Sequence, residues 1–310
     1  LRRWKIRSPS ILVGNVFRYT PYDGSKQPFS IGLELLDPER WVEPDDLLAS
    51  EIALKEELIA QRSHIVCAET DGSHTGQAEA RDRLSKFLTT RYADRYQSHM
   101  HGVTVVATGR TVRFDDGAMP LVHAARLVQD DLCLMRRGPQ GWHLAAGVVC
   151  FPSAWALPEK VGLSMDAIHV PVPGFAGRMA GMVARIFDHL PVDRPVWRLN
   201  WSLYDDAQLH HPEPKQGPRH WAGGQGRFGT NAFVRVERQT LTKLPGSGDI
   251  LFTIRIHLDP VEAFASHPRG RELAAGLARQ LAGLDADQLA YKGLTGERER
   301  LLAGLAAYIG

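Results

Sequence analysis

The chain has 310 residues, 44% of them hydrophobic and 23% charged, and a formal net charge of +2. It can bury a core of its own, and near-neutral charge without runs of Lys and Arg interleaved with aromatics argues against nucleic acid as a partner. The longest apolar stretch, Leu144 to Phe151, is too short to span a bilayer, and the widely spaced Cys67, Cys133 and Cys150 offer no C-x-x-C pair, so a reducing cytoplasm fits better than a disulfide framework.

The N-terminal Leu1-Arg2-Arg3-Trp4 runs into Ser8-Pro9-Ser10 without the long apolar core of a signal peptide. No internal repeat stands out and the Pro/Gly clusters are short enough to be turns, which predicts one domain over residues 1–310. Pro44 and Asp45 start an amphipathic pattern through Leu48, Ile52, Leu54, Leu58 and Ile59, predicting a helix from Asp45 to Gln61. A second helix is predicted over Ala78 to Gln97, so the N-terminal helices fill about 45–100.

Leu121 to Val128 and Asp131 to Arg137 read as paired strands. The turn Gly138-Pro139-Gln140-Gly141 then leads into Trp142 to Phe151, a meander pattern. A helix is predicted from Phe175 to Leu190. Pro195 to Tyr204 and Ala232 to Leu241 read as extended, and the turn from Leu244 to Asp249 carries the latter into Ile250 to Leu258 as a hairpin. From Pro260 to residue 310 the recurrence of Leu273, Leu277, Leu281, Leu284 and Leu289 predicts helix. Helices around an antiparallel sheet, without regular strand and crossover alternation, make this an α+β protein.

Common cofactor and hydrolase signatures are missing: no G-x-G-x-x-G after a strand, no G-x-x-x-x-G-K-[ST], no H-E-x-x-H and no G-x-S-x-G. The segment Gly223 to Gly229 is glycine-rich but precedes a strand, so it lacks the helix N-terminus that holds phosphate. Among thirteen histidines, His99-x-His101 is a possible metal half-site that nothing nearby completes. His210, His211 and His220 lie in a polar, Pro-rich loop and read as solvated. His169 differs, because Ile168-His169-Val170-Pro171-Val172-Pro173 is an apolar segment read as extended and stiffened by two prolines. Such a ring is held in a fixed direction, as an iron ligand needs; a hydrogen-bonded core histidine is the other reading.

In the strand around Arg235-Val236-Glu237-Arg238-Gln239, period two places Arg235, Glu237 and Gln239 on one face and Arg238 with Val234 and Val236 on the other. If the valines face the core, Arg238 enters with them and needs an anion; if they face outward, Arg235 and Glu237 are the inward pair. Likewise Trp197, Leu199 and Trp201 share one face and Arg198 and Asn200 the other. The tryptophans can wall a flat macrocycle, enclose an alkylammonium or simply pack in the core.

Several segments jointly resemble one family: Leu132-Cys133-Leu134-Met135 with Gly141-Trp142; Val149-Cys150-Phe151-Pro152-Ser153 with Trp155 and Glu159-Lys160; Ile168 to Pro173; Pro195 to Trp201; Arg235 to Leu241; and Tyr291-Lys292-Gly293. Together they resemble the haem-dependent oxidative N-demethylase alpha subunits, over most of the chain and most strongly from about Asp130 to Leu258. The resemblance implies a PAS-like antiparallel sheet holding haem b, and the absence of C-x-x-C-H agrees with non-covalent attachment. It implies a monooxygenase that takes a small alkylamine such as dimethylamine and molecular oxygen, with electrons from a reductase or ferredoxin-type partner. Combined with the stiffness of its segment, it places the iron ligand at His169, with His257 as second candidate. Glu237 is then expected to handle charge or protons, Trp197 or Trp201 to wall the substrate, and Arg198, Arg235 and Arg238 to meet haem propionates. Two rival readings are a haem-binding gas or redox sensor of the same fold, and a metal hydrolase built on His99 and His101.

Overall fold

The computed structural model describes residues 16–26, 28–215, 219–221 and 228–310; the N-terminal Leu1 to Ser10 stretch and residues 223–227 of the glycine-rich segment lie outside the described residues. In chain order the regular elements are β1 (Glu34–Leu35), α1 (Leu48–Val66), β2 (Cys67–Glu69), α2 (His74–Arg91), β3 (Tyr96–His99), β4 (Gly102–Val105), β5 (Arg110–Arg113) and α3 (Pro120–Ala125). They continue with β6 (Asp131–Gly138), β7 (Gly141–Val148), α4 (Met165–Ile168), α5 (Arg178–His189), β8 (Val196–Tyr204), β9 (Phe233–Lys243), β10 (Ile250–Pro260), α6 (Gly270–Ala282), α7 (Ala286–Tyr291) and α8 (Arg298–Ile309).

The large sheet runs β1-β8-β9-β10-β6-β7-β2, and each neighbouring pair is antiparallel. Both expected hairpins form. Gly138 pairs with Gly141 across a two-residue turn in which Gly141 sits at φ 100°, a conformation that costs glycine little. Lys243 pairs with Ile250 across the Leu244 to Asp249 loop.

Helices cover both faces of the sheet. On one, Met165, Phe175, Phe187 and Leu190 from the β7–β8 connection pack on Cys133, Met135, Trp142, Leu144 and Leu241. On the other, Leu273, Leu277 and Leu281 form a single stripe of α6 that joins Leu301 and Leu305 of α8 against Trp201, Leu203, Val234 and Val236. Each such fully buried leucine contributes about 1.5–3 kcal/mol. A capping box at Asp285 and Gln288 starts α7 where the chain turns toward the β8 side.

Three sequence expectations are corrected. Leu121 to Val128 is not a strand: Pro120 begins the short helix α3, whose Leu121, Val122, Ala124 and Ala125 are all buried. A short run apolar on every side reads equally as a buried strand or a buried helix. The second helix ends at Arg91, and Tyr96–His99 instead pairs with β4 in a separate three-stranded sheet of order β3-β4-β5, whose Val103, Thr104, Val105, Thr111 and Val112 favour extended backbone. The segment Ile168 to Pro173 is not extended: Ser164 caps the single-turn α4 by accepting from the Ala167 amide, and His169 ends that turn. Helix α1 runs beyond the expected Gln61 and is interrupted at Arg62 (φ −135°). No helix among the described residues is long and apolar enough to cross a membrane.

Candidate functional site

A cleft of about 700 Å³ opens between residues 166–180 and α7, with His169 and Phe175 on one wall and Tyr291 on the other. The imidazole of His169 stacks on Phe175 with ring centroids 4.3 Å apart. Its Nδ1 lies 2.8 Å from the Met165 carbonyl oxygen. A carbonyl accepts only, so Nδ1 carries the proton and the neutral ring keeps the Nε2 lone pair free. Burial holds the imidazole below the ordinary histidine range, although the Met165 carbonyl works the other way.

Behind the cleft stands the sheet. Its register sets Asn200 beside Glu237 and Arg198 beside Gln239, so these four side chains share one face with Ser202 and Arg235. Glu237 is half-buried and accepts from Gln239 Nε2 at 2.8 Å. Arg198 lies within electrostatic reach of His169, Glu237 and Tyr291, and burial lowers its pKa. Burial, reinforced by Glu237, pushes the Tyr291 phenol up to about 12. Lys292 is buried and donates to the Trp201 carbonyl at 2.5 Å, with its ammonium 4.5 Å from the Trp201 ring centroid and 5.0 Å from that of Phe29. Burial brings its pKa down to about 8.

The remaining expected residues lie elsewhere or are already engaged. Sequence periodicity left open whether Arg235 or Arg238 turns inward; because both sheet faces are covered, both do, at 0% and 1% exposure. Arg235 donates to Ser153 Oγ and to the carbonyls of Phe151, Pro152, Gln208 and Leu209. Arg238 donates to the carbonyls of Arg40 and Trp41 and faces the Glu43 carboxylate at 3.7 Å. Trp197 and Trp201 lie on the face opposite Glu237, and Trp201 donates to Gln280 within the core. His257 shares that opposite face, its ring 5.1 Å from Tyr19 and its Nε2 buried without a partner. Burial, then the neighbouring Arg255, pushes its pKa well down.

His210 and His211 are half-buried rather than solvated: His210 bonds the Cys150 carbonyl through Nδ1, and His211 packs on the Tyr204 ring beside Asp206. His220 is exposed as expected. His99 is tied to Thr104, and no group of three or more potential metal ligands occurs among the described residues. Sequence reasoning did not assign a role to Lys215, Tyr291 or Lys292. The one signal was that Tyr291-Lys292-Gly293 is among the segments that carry the resemblance; Lys215 had none, because the surroundings of these residues come largely from β8 and β9.

One anchored imidazole with a free Nε2 lines this cleft, and the Arg198 guanidinium lies within electrostatic reach of it, so the α+β fold presents a single nitrogen ligand that a metal-containing cofactor could take. These residues fit haem, which takes one protein imidazole and carries two carboxylates on a flat apolar ring. Over residues 32–302 the chain matches the family described as haem-dependent oxidative N-demethylase, alpha subunit-like, and it belongs to that family. The family's character is haem-dependent and its chemistry is oxidative N-demethylation.

Proposed function

We propose that this chain is the haem-carrying subunit of a monooxygenase that removes a methyl group from a small secondary amine such as dimethylamine. Dioxygen, two electrons and two protons enter; the primary amine, formaldehyde and water leave. The observation that carries this reading is His169, whose Nδ1 is held by a carbonyl while Nε2 remains free at a cleft of about 700 Å³, a volume in the range of cofactor pockets. Haem b, when bound, supplies the oxygen chemistry that oxidises the N-methyl carbon.

The protein's part is positioning and charge. His169 would hold the haem iron. Of the three expected arginines, Arg198 has donors to spare for a propionate. Glu237 attracts the substrate ammonium and moves protons, while Tyr291 and Phe175 take the walling role first given to Trp197 or Trp201. A PAS-like reading of the whole chain as one domain is supported by the single large antiparallel sheet with the β7–β8 helices laid over one face. Electrons come from a reductase or ferredoxin-type partner, since the sequence has no flavin, nicotinamide or iron–sulfur motif. The free cysteines support a reducing, cytoplasmic setting.

The test is haemin titration followed by turnover. His169→Ala is expected to abolish the wild-type Soret spectrum and His257→Ala to preserve it; the reverse result moves the ligand to His257. Haem-loaded protein given dimethylamine, oxygen and a reducing system should release formaldehyde. A stable haem complex that releases none would instead be a sensor.

A further inference from the structure

One carboxylate, Glu237, lies within electrostatic reach of four cations: Arg198, Lys215, Arg235 and Lys292. Two of them are committed, Arg235 to backbone carbonyls and Lys292 to the Trp201 carbonyl and two aromatic rings. Arg198 and Lys215 have no hydrogen bond or ion pair among the described residues. Lys215 is nonetheless held in place. Gly293, at φ +67°, lets its stem lie against the end of α7, where a Cβ would stand 2.5 Å from Lys215 Cβ. The Lys215 ammonium is 4.6 Å from the Tyr204 ring centroid, and the Arg235 guanidinium is 5.2 Å from the same ring.

A half-buried cation with no ion pair of its own is costly, and crowding it with further cations raises that cost. A fold that sets two such groups around one carboxylate, with Lys215 against the end of the helix that walls the cleft, has charge to offer a dianion. Haem carries two propionates. We infer that Lys215, together with Arg198, binds the haem propionates, which assigns a cofactor contact to a loop residue. This inference rests on the haem reading above.

The experiment compares haemin with haemin dimethyl ester, which keeps the ring and iron but lacks the carboxylates. Affinities are read by Soret titration and folding by circular dichroism, for wild type, Lys215→Met, Lys215→Arg and Arg198→Met. Wild type should prefer the free acid. Each methionine variant should lose about tenfold or more in affinity for haemin and none for the ester, and Lys215→Arg should restore the preference. If Lys215→Met keeps the wild-type preference, the inference is overturned. It is also overturned if that variant binds haemin normally but loses affinity for an N-methyl amino acid, since the cation then serves a substrate carboxylate. Should wild type take up neither porphyrin, the haem reading itself falls and the inference with it.

Discussion

At the residue scale, burial decides which groups near the sheet are charged. His169 and His257 are both held below the ordinary histidine value, so between that value and their folded ones the unfolded chain binds more protons than the folded chain. Their contribution to stability is therefore complete above about pH 6.5 and drains away as the pH falls below it. Glu51 and Asp259, pushed up to about 7 by burial, act in the opposite sense, so the clean measurement is a difference. On acidification below about pH 6.5, urea unfolding should show wild type losing stability relative to His257→Gln; parallel curves would mean that His257 is not held neutral. Lys292, brought down to about 8, has the same sign at higher pH. Its contribution is complete above the unfolded lysine value near 10.4 and is lost as the pH falls through the window down to about 8. Wild-type stability should therefore climb between those limits, and Lys292→Met should flatten the climb.

At the scale of elements, helix α2 grips the β9–β10 hairpin. Glu79 accepts from the amides of Gly246 and Ser247 at 2.7 Å each, and Asp249 receives Arg136 through two bonds of 2.9 and 2.6 Å. This close approach requires Gly76, since a Cβ there would meet Asp249 Oδ2 at 2.0 Å and Leu134 at 3.0 Å. Gly76→Ala should cost about 1–3 kcal/mol through overpacking. Gly181, inside α5, has open space where its Cβ would go and no left-handed backbone. Gly181→Ala should stabilise by about 0.5–1 kcal/mol. Chemical denaturation of the two variants gives opposite signs if these helices pack as described, and equal signs if they do not.

At the scale of the molecule, a buried polar network ties the start of α1 to the central sheet. Arg255 of β10 pairs with Asp45 at 2.8 Å and Glu51 at 2.7 Å, and Gln129 donates to both carboxylates. Arg255→Met leaves two buried carboxylates without their cation and should cost about 3–5 kcal/mol, part of which Arg255→Met with Glu51→Met recovers. Equal losses in the single and double variants would contradict the pairing. The sequence alone was enough for what local pattern determines: the period-two sharing of faces in β8 and β9, both hairpin turns, the leucine stripe of α6, and the joint segments that resemble the haem-dependent N-demethylase subunits. Tertiary structure decided the rest. Period two told which side chains travel together but not that both faces would be covered, so it could not foresee Arg235 and Arg238 buried together. Nor could it tell that Trp201 would face α6 while Glu237 faced the side covered by the β7–β8 connection. α3 was misread because an apolar run without amphipathic contrast carries no period, and His169 because a one-turn helix is stabilised by its cap and its neighbours. Lys215 was invisible for a plainer reason: a residue's electrostatic surroundings are made by elements distant in the chain, and only their packing brings Tyr204, Glu237 and Gly293 around it.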